Sequence, residues 1–279
     1  MPAHDVLAAA HEPRDREVGA QRRLAVAWQH PEERSIEPIG FLTYDGDVYR
    51  FSYIRNSKRV KDFRPLMGFE DLGTSYQSHE LFPLFAQRAM DPRRPDYQRY
   101  VEHLGLDGES TPWEQIARSQ GRREGDTIQL FPEPTTEGDT VRCRFLVHGI
   151  RHVHRGAKVL GGARIEVTRE QVQEALGNLR IGDELRIVPE PENPKNPQAI
   201  VVATRPLIPV GWIPDLIVED LHRLMTQADV TVTAERINGP DAPAHMRLLA
   251  GLRASPAPGF RFFTSERWEP LSADGSGGQ

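Results

Sequence analysis

Apolar and polar positions alternate with a period of two along most of this chain, and a helical period surfaces only in short stretches. Residues 48–54 show the alternation best: Val48, Arg50 and Ser52 fall on one side, Tyr49, Phe51 and Tyr53 on the other. With the turn Asp45-Gly46-Asp47 and the run 36–44 before it, this predicts a half-buried β-hairpin. Residues 23–29 and 127–131 read as further strands. A 3.6-residue period takes over at 81–90, 96–104 and 112–118, the last opened by Thr111 with Glu114 at capping-box spacing. Strand patterns return at 140–149, 184–189, 199–203, 208–213, 229–238 and 245–254. Two helices interrupt them, 169–176 behind Thr168 and 216–226 with Asp215 as the expected N-cap.

The elements fall into two blocks, and the polar stretch 134–140 reads as the linker between them. At 279 residues the length fits two domains of about 150 residues each. The expected fold class is α+β: a small β-sheet with helices over 23–133, then a small β-barrel over 141–268. Residues 1–22 and 269–279 lack any strand or helix pattern and read as disordered tails.

Composition narrows the function classes. A single cysteine, Cys143, excludes a disulfide framework and a cysteine-rich zinc site, and fits a reducing compartment. No apolar run approaches a membrane span and no signal core opens the chain, so a cytoplasmic protein without a membrane partner is expected. Charge is uneven: residues 23–140 hold 15 basic against 20 acidic side chains, residues 141–268 hold 17 against 14. One basic face on the second block would suffice for nucleic acid.

Chemistry concentrates at two places. The first is Glu192-Asn193-Pro194-Lys195-Asn196-Pro197-Gln198-Ala199-Ile200, followed by Pro209-Val210-Gly211-Trp212-Ile213-Pro214. Its prolines supply no ladder donors and bias their neighbours away from helix, so this is a stiff, pre-formed loop between two strands. Such a loop loses little entropy when it binds a partner. The second is His148-Gly149-Ile150-Arg151-His152-Val153-His154 at the end of a strand. The three histidines share strand parity, yet no carboxylate or second cluster joins them at ligand spacing, and no metal is expected.

Together these stretches resemble the HIRAN domain, whose usual run is Glu-Pro-x-Asn-Pro-x-Asp-x-x-Ala-Ile followed by a Gly-x-x-Pro step into a helix. The resemblance implies an OB-type barrel that grips single-stranded DNA, notably at a free 3′ end. It assigns Arg151 to the DNA backbone and His152 to the position of a base-stacking aromatic ring, with His148 beside them. It places Asn193, Lys195, Asn196 and Trp212 along the loop side. Where the family carries Tyr-Asp, this chain has Lys195-Asn196, which exchanges a stacking ring and a terminal-hydroxyl acceptor for a phosphate contact and an amide. The asparagines also suit plain turn chemistry, and Trp212 suits a wall or core position.

The first block resembles the N-terminal subdomain of HipA-type toxin kinases. The matches are Ile39-Gly40-Phe41-Leu42 with Phe51-Ser52-Tyr53, then Phe63-Arg64-Pro65-Leu66, Leu81-Phe82-Pro83-Leu84-Phe85, and Pro112-Trp113-Glu114-Gln115-Ile116. The kinase core itself is missing from the sequence. There is no phosphate loop, no His-Arg-Asp or Asp-Phe-Gly, no nuclease Asp/Glu-x-Lys and no Gly-x-Ser-x-Gly elbow. The expectation is therefore a binding protein with no catalytic residues and no cofactor, with DNA as first partner. The alternative is an accessory subunit or antitoxin docking on a separate HipA-like kinase.

Overall fold

The computed structural model describes residues 23–122 and 125–271. The expected tail 1–22 and residues 272–279 of the expected tail 269–279 lie outside the described residues, whereas 269–271 is hydrogen-bonded to residues 53–55.

The first block forms the anticipated hairpin within a five-stranded antiparallel sheet. Its strands are β1 (Arg23–Gln29), β2 (Ile36–Tyr44), β3 (Tyr49–Tyr53), β4 (Tyr76–Ser78) and β5 (Ile128–Pro132), in the order β4-β3-β2-β1-β5. Three short helices cover one face: α1 (Pro83–Ala86), α2 (Tyr97–His103) and α3 (Pro112–Ser119). The α3 cap is the expected one, with Thr111 and Glu114 exchanging hydrogen bonds. Helix α1 is much shorter than its 81–90 pattern, because the Met90 N–H turns instead to the side chain of Gln115 (2.9 Å).

The segment 134–140 is not a free linker. It contributes β6 (Thr135–Glu137), which turns through Gly138 in the left-handed region and pairs with β7 (Thr140–Leu146). Its polar composition reflects an outer strand in contact with water rather than an unstructured tether.

After β7 come the small hairpin β8 (Lys158–Leu160) and β9 (Ala163–Ile165), then α4 (Arg169–Asn178), β10 (Glu184–Pro189), β11 (Ile200–Ala203), β12 (Pro209–Trp212) and α5 (Asp215–Met225). The block ends with β13 (Thr231–Ile237) and β14 (Leu248–Ala254), and the sheet order is β12-β11-β10-β13-β14-β7-β6. This sheet curls so that its edge strand β12 reaches the chain just past β7. His148, just past β7, pairs with Trp212 of β12 through two 2.9 Å backbone hydrogen bonds. That pair joins the outer strand β12 to the chain leaving β7 and holds the sheet in its curled form.

Two glycines permit the join. A Cβ on Gly211 would run into the His148 carbonyl and the Val147 side chain, and one on Gly149 (φ +70°) would sit 2.5 Å from the Trp212 ring. Asp215 is the first helical residue rather than the cap, since Pro214 takes the preceding position and supplies no side-chain acceptor. His245 lies in a short 3-10 turn (Ala244–Met246), not within the strand that follows.

The blocks share a core. Ala25, Ala27, Phe41, Ile54 and Phe131 of the first sheet pack in the same buried cluster as Val141, Phe145, Val202, Leu221 and Leu252. The chain after β14 supplies the bridge: Phe263 and Trp268 are buried, with ring centroids 4.2 Å apart, and Trp268 stacks on Phe41 at 5.4 Å. Leu271 N–H then donates to the Tyr53 carbonyl (2.9 Å), so residues expected to form a tail instead lie along β3.

Candidate nucleic-acid interface

The Pro-rich loop hangs on one buried carboxylate. Glu190 accepts from the Trp212 indole Nε1–H (2.7 Å) and from the Asn193 amide (2.7 Å) through the same oxygen. Lys158 lies over the Trp212 ring (5.4 Å to its centroid) and donates to the Arg155 and Gly156 carbonyls. Burial lowers the Lys158 pKa, with the charge of Glu190 acting against that shift. The loop then closes on itself. Asn193 Oδ1 accepts from the Lys195 and Asn196 N–H groups, and Asn196 Oδ1 from that of Gln198. Asn196 spends its amide on Asp215 Oδ1 (2.9 Å).

These bonds sort the expected loop residues. Asn193, Asn196 and Trp212 are engaged by the protein itself, so turn chemistry and wall packing occupy their polar groups. Lys195 has its side chain exposed, as Pro194 and Pro197 do on either side. Glu190, which anchors the loop, was not singled out in the sequence, although the Glu-Pro that opens the family run already stood there.

The second stretch departs from strand form after the bridge. Residues 149–156 are turns, with His152 and Val153 N–H groups both returning to the Gly149 carbonyl (2.7 and 3.1 Å). The histidines therefore have no common strand parity. His148 points inward, its Nε2 donating to Gln120 Oε1 (2.8 Å) at the end of α3. Burial first, then the charges of Arg122 and His245, hold its pKa well below the usual histidine value. It ties the two blocks together while remaining partly exposed. Among the described residues no group of three His, Cys, Asp or Glu side chains is placed to hold a metal ion.

Arg151 is exposed and its Nε–H donates to His152 Nε2 (3.0 Å), which fixes the plane of the imidazole. Desolvation lowers the His152 pKa, and the nearby charges of Arg155, Arg151, Lys195 and His154 lower it further. Thus Arg151, His152 and Lys195 come together on one rim, with a neutral ring among positive charges. A guanidinium and an ammonium there can meet successive phosphates, and a fixed imidazole can stack on a base.

The family model for the HIRAN domain matches residues 164–251, placing a HIRAN domain in the second block. The matched stretch contains Asn193, Lys195, Asn196 and Trp212, while His148, Arg151 and His152 lie upstream of it. Among solved structures, the chain is similar to the crystal structure of the HIRAN domain of human HLTF. The identity is 16%, over 43% of this chain and 79% of that one, with a TM-score of 0.26. No curated protein matches the chain. HIRAN is a DNA-binding class of domain, and no helix among the described residues is long and apolar enough to cross a membrane.

Proposed function

We propose that the protein is a non-catalytic DNA-binding protein whose HIRAN domain holds single-stranded or end-exposed DNA, chiefly by its backbone, as at stalled forks or damaged sites. The observation that carries this is the rim of Arg151, His152 and Lys195 beside a loop whose two asparagines are bonded within the protein. Phosphate contact therefore outweighs reading of a terminal hydroxyl, since Asn196 is held by Asp215 and Lys195 replaces a stacking ring. The test is a titration of the full chain against single-stranded, duplex and 3′-phosphorylated oligonucleotides at several salt concentrations. Lys195→Ala and Arg151→Ala should each weaken binding and flatten the slope of log K against log salt by roughly 0.7. A large loss on 3′-phosphorylation with Lys195→Ala silent would show that the loop reads the terminus instead.

A second reading rests on the first block. Its acidic balance, the open outer edge of β4 and the 86% exposed Met67 suit a protein partner such as a HipA-like kinase core. Co-purification with such a kinase would favour it.

A further inference from the structure

We infer that Arg122 and Arg34 of the first block continue the phosphate track of Arg151 and Lys195, so that a bound single strand runs across the seam between the blocks. The inference rests on the DNA-binding reading above and adds to it the route of the strand.

The geometry begins at the end of α3. Gln120 and Gly121 both adopt left-handed backbone (φ +59° and +56°), which turns the chain away from the helix. Gln120 is pinned on two sides, its carbonyl accepting from Leu130 N–H (2.8 Å) and its side chain from His148. Gly121 is packed so closely on Leu130 that a Cβ would lie 2.5 Å from it. Arg122 is thereby delivered to the seam at a fixed place, near the turn that carries Arg151. It is half-buried, and the charges of Arg151 and Arg34, together with the carboxylate of Asp215, lie within its electrostatic reach.

Several arginines of the chain are neutralised by neighbours: Arg23 by Glu133, Arg55 by Glu269, Arg93 by Asp91 and Arg205 by Glu184. Among the described residues, none of Arg34, Arg122, Arg151 or Lys195 has a carboxylate at ion-pair distance. Around the half-buried Arg122 guanidinium two further arginines outweigh the single carboxylate of Asp215, an excess of positive charge that an added anion would offset. The spread of these charges over two blocks suits a polyanion, whose charges are spaced along a chain, better than a single small anion.

The experiment uses the full chain and a labelled oligothymidylate, with binding measured across salt concentrations. Arg122→Gln should weaken binding several-fold and lower the salt slope by roughly 0.7, one phosphate on a single strand. Arg34→Gln should do the same to a smaller degree, Arg122→Glu should weaken binding further than Arg122→Gln, and Arg122→Lys should restore the slope. Arg93→Gln, which removes an exposed, paired arginine of the same block, should leave the slope unchanged. If Arg151→Gln lowers the slope while both Arg122→Gln and Arg122→Glu keep it, the strand does not cross the seam, and this inference alone falls. If the unsubstituted protein does not bind, the DNA-binding reading falls and takes this one with it.

Discussion

The Pro-rich loop and the turn after β7 contribute to the same rim, yet they use their polar groups in opposite ways. In the loop, Glu190, Asn193, Asn196 and Asp215 bond to one another and to Trp212, while Glu192, Lys195 and Gln198 stay exposed. In the turn, His148 is spent on the seam between blocks while Arg151 and His152 remain outside. A motif that looks uniformly functional in sequence is thus largely a brace, with a few side chains left free at the surface. Substitutions in the brace should cost stability, and those on the rim should cost binding.

The largest expected effect belongs to the brace. Glu190→Ala orphans the Trp212 and Asn193 donors and should destabilise the protein by roughly 2–4 kcal/mol, measured by urea unfolding. A loss under about 1 kcal/mol would mean that the prolines alone hold the loop.

His148 offers a pH test of the same contrast. Its folded-state pKa lies below the unfolded value of about 6.5, so the unfolded chain takes up a proton that the folded ring refuses. Stability should therefore fall as pH drops below about 6.5, by up to about 1.4 kcal/mol per pH unit from this group. His148→Gln should remove that share of the acid sensitivity. Equal pH profiles for the two proteins would place the ring in water.

On the rim the effects are smaller and concern binding. His152→Ala should cost about 1 kcal/mol or more of affinity if the ring stacks on a base, with little change in salt slope or melting temperature. A lowered slope instead would mark His152 as a cation in the complex. The smallest change is a gain: Asp215→Asn keeps an acceptor for Asn196 while removing a carboxylate near Arg122 and Lys195. Binding should tighten by about 0.2–1 kcal/mol, the range of an exposed charge pair, and a weakening would show that the carboxylate orders the loop.

Much of the fold was legible because its main strands alternate cleanly and its turns carry glycine or proline. Strand 184–189 has the expected bounds, and the Thr111–Glu114 cap closes as its spacing requires. What escaped the sequence was local pattern overruled by pairing. Residues 134–140 look like a linker because an outer strand facing water needs few apolar side chains, and the hairpin at 158–165 has strands too short to show a period. The aromatic residues Phe262, Phe263 and Trp268 carry no strand pattern, since they are buried by packing on Phe41 rather than by a sheet of their own. At the interface, Arg151, His152 and Lys195 were visible through the resemblance. Arg122 was not, because its place depends on a fold-level meeting of two blocks distant in sequence.

The return of the last described residues to the first sheet also orders events in time. During synthesis, β1 and β2 emerge early, with Ala25, Ala27 and Phe41 on a face that Phe263 and Trp268 will cover. Those partners leave the ribosome long afterwards, behind the entire curled sheet. The nascent first block must wait with an uncovered greasy face, a species prone to sticking. A C-terminal tag fused tightly after Leu271 would crowd the segment that finally closes that face.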